Sequence, residues 1–177
     1  MTASIGSIKQ RDGFTIVELL IVIVVVAILA AITVVAYNGI QARANLASVQ
    51  SDLTSLARKY ELFFVDNGRY PNSVPDLLAL KATVSRPAYL TDSTLASNLI
   101  PCVTSDSQNY AIGAVAPNGS RLYIARGKPV AEYTGATSWL GAANWSAVCS
   151  SALSGSATFG LGAGWATADG WRAWTGS

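Results

Sequence analysis

The sequence predicts an α+β protein, with a long N-terminal helix packed against a small antiparallel β-sheet head that carries one disulfide. Three features lead there: an unbroken apolar run near the start, a helical apolar periodicity after it, and short strand-like segments divided by turn residues. Residues 19–36 are all apolar except Thr33, and as a helix they would extend roughly 27 Å, close to the thickness of a bilayer core. Lys9 and Arg11 precede this run and the next cation is Arg43, so the short N-terminal piece is expected to stay cytoplasmic and the bulk of the chain to be exported.

Beyond the run, Leu46, Val49, Leu53, Leu56, Tyr60 and Phe63 recur at spacings of 3 and 4, the mark of an amphipathic helix. Ser51, Thr54, Arg58 and Glu61 fall on its other face and are expected to meet solvent or another subunit. Asp66-Asn67-Gly68 should end it. A continuous helix from 14 to 65 would measure roughly 78 Å. Gly39 alone nearby disfavours helix strongly, so any softening would centre on Tyr37-Asn38-Gly39; a rigid stalk is the alternative. Pro71, Pro75 and Pro87 then bracket a short helix over Asp76 to Leu80. Strands are expected at 109–116, 121–125 and 130–133, the first two joined through Pro117-Asn118-Gly119-Ser120, giving an antiparallel meander. Laid across the helix stripe, it would build a core with Tyr110, Ile112, Leu122 and Ile124.

Composition removes several classes of activity. Only 12% of the 177 residues are charged and 51% are hydrophobic, at a mean hydropathy of +0.36, which is incompatible with a highly charged disordered chain. A net charge of +2 is too small to make polyanion binding the main task. Histidine is absent, which removes His-based triads and His-ligated metals. Asp92 and Asp106 are isolated, the serines lack a base, and the glycine-rich 160–164 has no P-loop lysine. No enzyme activity, cofactor or metal is expected.

Cys102 and Cys149 lie in the part expected to be exported, where oxidation favours a disulfide. Two separate buried thiols are the alternative, and a two-cysteine zinc site is disfavoured without histidine or a CxxC. Residues 139–177 hold all five tryptophans and only two charges, Asp169 and Arg172. They either complete the core of a loop-rich sheet or form an adhesive or subunit-contact surface; nucleic-acid stacking on Trp171, Arg172 and Trp174 is a third reading. Asn118-Gly119-Ser120 and Asn144-Trp145-Ser146 match the N-glycosylation sequon, weak evidence of modification.

The start of the apolar run is the most informative stretch. A carboxylate there, Glu18, can be a helix-start charge favoured by the dipole, or one kept for a partner. The string Gly13-Phe14-Thr15-Ile16-Val17-Glu18-Leu19-Leu20, followed by unbroken aliphatics to Ile32, closely resembles the start of type IV pilins and pseudopilins. That resemblance implies that a prepilin peptidase cuts between Gly13 and Phe14, that Phe14 is then N-methylated, and that Glu18 guides assembly. It divides the chain into a leader at 1–13, a transmembrane and assembly helix at 14–42, and an exported head at 43–177. Gly68-Arg69-Tyr70-Pro71 looks like the family's exit from the helix. The proline that many members carry within the apolar stretch is missing, and the 28 residues after Cys149 exceed the family's usual tail.

The function so implied is that of a structural subunit of a type IV pilus-like surface filament, a homo-oligomer assembled through its apolar helix. Its expected partners are the prepilin peptidase, a pilus assembly platform, and membrane lipid before assembly. A minor or tip pilin or competence pseudopilin that binds DNA or a surface, and a type II secretion pseudopilin, are the alternatives. A disulfide in the head is more like the pilins than the major secretion pseudopilins. Two further readings compete: an enzyme on an uncleaved anchor, for which no catalytic constellation exists, and a secretory signal cut after Ala42-Arg43-Ala44. The apolar run is longer than the h-regions of such signals, and a mature terminus at Phe14 rather than Asn45 separates the two.

Overall fold

The computed structural model describes residues 14–91, 98–135, 145–153, 157–160, 165–166, 170–171 and 175–176. The chain divides into two compact units, Met1–Ile40 and Gln41–Ser177. Helix α1, Ile16–Asn67, contributes to both and contains 52 residues. It passes through Tyr37-Asn38-Gly39 without a break. β-branched residues such as Val and Ile are mediocre helix formers in water, but in hydrocarbon every backbone N–H and C=O must be satisfied within the segment, and a helix does that. Even Thr33 complies, its hydroxyl donating to the Ala30 carbonyl at 2.9 Å. One helix among the described residues is long and apolar enough to cross a membrane; its most apolar window has a mean hydropathy of 3.4.

In the second unit α1 ends where expected. Gly68 adopts φ +68°, and its N–H donates to the Phe64 carbonyl at 2.8 Å, a left-handed cap that glycine forms without a Cβ penalty. Short elements follow: α2 (Val74–Ala79), β1 (Ala82–Thr83) and a 3₁₀ turn at Arg86–Ala88. Then come β2 (Leu99–Thr104), β3 (Tyr110–Val115), β4 (Arg121–Ala125), β5 (Ala131–Glu132), α3 (Trp145–Ala152), β6 (Ala157–Gly160), β7 (Trp165–Ala166), β8 (Gly170–Trp171) and β9 (Thr175–Gly176). The main sheet is five-stranded and antiparallel in the order β5-β4-β3-β2-β6. Ile112 pairs with Ile124 and Ala114 with Leu122.

Strands β2 and β3 are buried along their whole length, because both faces of the sheet are covered. One face carries Leu99, Val103, Tyr110, Ile112, Ala114, Leu122 and Ile124, packed with Val49, Leu53, Leu56 and Tyr60 of α1. The expected core is therefore present, with Leu46 and Phe63 at its margin. The other face carries Ile100, Cys102, Ala111 and Val115 against Val148 and Cys149 of α3. The disulfide Cys102–Cys149 joins β2 to α3 with Cα atoms 5.4 Å apart, which resolves the open cysteine alternatives. Closing a loop of 47 residues stabilises the fold by about 4 kcal/mol in the chain-entropy model.

The meander over β3, β4 and β5 matches the expected strands, but β2, α3 and β6 extend it into a layered head. Pro101 masked β2 in the sequence, since proline inside a strand argues against that assignment. Its site in β2 is tolerable because β6 pairs only from Cys102 onward. The polar side of the second half of α1 also differs from expectation. Glu61 accepts the Tyr70 hydroxyl at 2.9 Å. Asp52 accepts the Ser85 N–H at 2.7 Å and the Tyr89 hydroxyl at 3.1 Å, and Lys59 donates to the carbonyls of Leu80 and Lys81. Arg69 makes a two-pronged ion pair with Asp76 at 2.8 and 3.1 Å, while Ser73 caps α2 by accepting the Asp76 N–H.

Of the tryptophan-rich tail, Trp171 is partly buried against the main core. Its ring meets Tyr89 edge-on at 5.6 Å and lies under the Arg86 guanidinium. Arg86 also donates to the Thr175 carbonyl at 2.8 Å, beside the parallel pairing of β1 with β9. This part of the tail completes the core. Gly13, Asp92, Trp139, Asn144, Asp169, Arg172 and Trp174 lie outside the described residues, as do the side chains of Trp145 and Trp165.

Candidate assembly site at the start of the apolar helix

The first turn of α1 is organised by two side chains. Thr15 stands just before the helix; its backbone N–H donates to Glu18 Oε2 at 2.9 Å and its hydroxyl to the same oxygen at 2.7 Å. The Glu18 N–H in turn donates to Thr15 Oγ1 at 3.2 Å. This is a reciprocal capping box, which supplies partners for N–H groups that a helix start leaves without intrahelical acceptors. Glu18 is also the acidic residue of the first turn, where the helix dipole favours negative charge.

Both bonds to the carboxylate fall on Oε2. Among the described residues no hydrogen bond to Oε1 is seen, so the carboxylate caps its own helix with one oxygen and keeps the other for a further donor. Around it the surface is apolar: Phe14, Leu19, Ile21 and Val22 line a groove with Glu18. Phe14 is 87% exposed and Ile16 81%, and the large aliphatic side chains onward to Val34 with described surroundings are exposed as well. A cation brought against Oε1 inside a bundle of such helices would find a charge partner in otherwise low-dielectric surroundings.

The two sequence-predicted positions Phe14 and Glu18 thus lie together at one helix start, while Gly13 is outside the described residues. Cys102 and Cys149 meet in the head. Thr15 is the residue that sequence reading passed over. Its signal was present, since Thr15-x-x-Glu18 ahead of an apolar run is a capping-box pattern.

Among the described residues no cluster of His, Cys, Asp and Glu could hold a metal ion. In the head, a cleft of about 260 Å³ is lined in part by Asn109, Arg126 and Lys128. Its Arg126 guanidinium stacks on Phe64 and Tyr70 and donates to the Gln108 carbonyl, which is a packing role.

Comparison with known proteins places this arrangement. The family described as the prokaryotic N-terminal methylation motif matches residues 8–34. The chain is 35% identical over 80 residues to the type II secretion system core protein G of Klebsiella pneumoniae, covering 45% of this chain and 55% of that protein. It is 33% identical over 90 residues to the type IV wide pilus major component PilA4 of Thermus thermophilus, covering 51% of this chain and 68% of that protein. To the core protein G of Escherichia coli it is 30% identical over 91 residues, covering 46% and 62%. The chain spans about half the length of the first of these secretion relatives. No solved structure matches.

Proposed function

Because the chain belongs to the type IV pilin and pseudopilin family, we propose that it is a structural filament subunit, polymerised through the apolar first half of α1 after removal of residues 1–13. In this reading a prepilin peptidase cuts between Gly13 and Phe14, and the freed amine of Phe14 is methylated. Before assembly residues 14–42 rest in the membrane, with 43–177 exported as the head. An assembly platform then draws the subunit into a homo-oligomeric helical filament at the cell surface.

The observation that carries the proposal is the half-used carboxylate of Glu18 at the head of the exposed apolar first half of α1. The amine of Phe14 would otherwise be an uncompensated charge among packed helices. A neighbour's Glu18 cancels it through the open oxygen while the other oxygen keeps its helix capped. Each helix carries both charges at the same end, so pairing between neighbours also sets their axial offset.

Mass spectrometry of sheared surface filaments tests this. The expected result is an abundant chain beginning at Phe14 with one added methyl group, about 14 Da. An intact residue 1–13 segment, a start at Asn45, or absence of the chain from the fibres overturns it.

The secretion relatives support a second reading, a pseudopilus subunit of a type II secretion system. Its mark is loss of a secreted enzyme from the medium when the gene is deleted, without loss of long surface fibres. A DNA- or surface-binding tip role is the remaining alternative; of the tail's tryptophans, the described side chain of Trp171 is partly buried against the core.

A further inference from the structure

Three Asn-Gly pairs occur in the sequence, at 38–39, 67–68 and 118–119, and the fold treats them differently. We infer that Asn118 is a self-modification site, at which the exported head slowly converts an asparagine amide into a carboxylate at the tip of its β3–β4 hairpin. In the reaction the Gly119 backbone nitrogen adds to Cγ of Asn118 and loses its proton. The bond from Cγ to the side-chain nitrogen breaks, and ammonia leaves. Water then opens the five-membered imide at either carbonyl, giving aspartate or, with the chain rerouted through the side chain, isoaspartate. Water is the only co-reactant, and no oxidant or reductant is consumed.

Asn67-Gly68 shares the exposure and the open left-handed glycine of this pair; what sets Asn118 apart is the donor on its amide oxygen and, among the described residues, an amide nitrogen on which no hydrogen bond is seen. Asn118 and Gly119 are both exposed. Gly119 has φ +82° and open space where a Cβ would stand, so no side chain of its own hinders the approach of its nitrogen to Cγ. The Ser120 N–H donates to Asn118 Oδ1 at 3.0 Å, which polarises the amide carbonyl and would stabilise the oxyanion that forms there on attack. One backbone bond restrains the nucleophile, from Gly119 N–H to the Ala116 carbonyl at 2.9 Å, and it must open first; bonds at exposed turns open more readily than those inside elements.

The other two pairs are held back. Gly39 lies within α1. Gly68 donates its N–H to Phe64, its carbonyl accepts from Gln108, and the Asn67 amide nitrogen, which would be the leaving group, is bound to the Phe63 carbonyl at 2.9 Å.

The test is peptide mapping of the folded, detergent-solubilised chain during incubation at 37 °C and pH 8, alongside a urea-unfolded sample. Asn118 is expected to gain about 1 Da roughly tenfold faster than Asn38 or Asn67 in the folded chain, with isoaspartate among its products, while the three sites converge in urea. Gly119→Ala should slow the conversion at Asn118. Since alanine is strained at that φ, Asn118→Gln serves as the second variant, and it should abolish the mass gain at this site. Equal rates at the three sites in the folded chain, or a product containing aspartate but no isoaspartate, overturn the inference.

Discussion

Thr15 and Glu18 form a capping box, and their variants separate that role from the charge pairing proposed for Glu18. Glu18→Ala removes the charge partner and part of the cap, and is expected to lower filament yield by more than about tenfold while membrane insertion is unchanged. Thr15→Ala costs about 1 kcal/mol at the helix start but keeps the charge, so its filament yield should fall less. Quantifying sheared fibres against membrane-inserted subunit for both variants checks this; equal losses would make capping, not charge pairing, the function of Glu18. Asp76 yields a second prediction. The hydrogen-bonded guanidinium of Arg69, helped by Ser73 and the Asn72 N–H, lowers its pKa from 3.8 to about 2. A depressed carboxyl pKa contributes stability that is present above the unfolded value and is lost as pH falls through the folded one. Arg69 is partly exposed, so the contribution is about 1 kcal/mol after solvent screening. Denaturant titrations at pH 7 and pH 2.5 should show Asp76→Asn lowering stability at the first and by only a fraction of that amount at the second, where the contribution is partly lost.

The elements of the head were legible to the degree that their residues obeyed a period. The stripe from Leu46 to Phe63 announced its helix, and the same residues form the core floor. Strands β3 and β4 were readable from their apolar runs and the Pro117-Asn118-Gly119 break. Strand β2 was hidden by Pro101, and α3 by its shortness, eight residues of mostly small side chains. Glu61, expected to meet solvent or another subunit, instead binds Tyr70, and the anchors Asp52 and Lys59 leave no mark in the sequence pattern because their partners, from Leu80 to Tyr89, are distant along the chain. Burial and the Glu61 carboxylate raise the Tyr70 hydroxyl to about 12, and burial also raises Tyr60 and Tyr110. Raised tyrosine pKa values contribute stability below the unfolded value of 10.0 that is lost as pH climbs through the folded value. Leu53, fully buried beneath the sheet, gives the element-scale prediction: Leu53→Ala should lower head stability by about 2–5 kcal/mol, read as an earlier denaturant midpoint for the near-ultraviolet signal of the tyrosine cluster.

The two units of the molecule meet different physical demands, and one pair of substitutions tells them apart. The second unit is closed on itself, with buried faces on both sides of its sheet and a disulfide across one of them. The first unit leaves its apolar side chains uncovered, so in water each would forgo the roughly 1.5–3 kcal/mol that burial of a large aliphatic group provides. Bilayer and filament core are the two surroundings that would supply that burial under the proposed function, and they differ in how they treat a charge. At the helix start, near the interface, a carboxylate is tolerated by lipid and required by the proposed filament. At the middle of the run a lysine costs about 2.5–3.5 kcal/mol on insertion and finds no opposite charge in either place. Val25→Lys is therefore expected to reduce both membrane-inserted subunit and filament, whereas Glu18→Ala reduces filament alone. Alkaline carbonate extraction of membranes measures the first quantity and shearing the second; a Val25→Lys chain that inserts and polymerises as the parent does would mean that the apolar run is buried in neither.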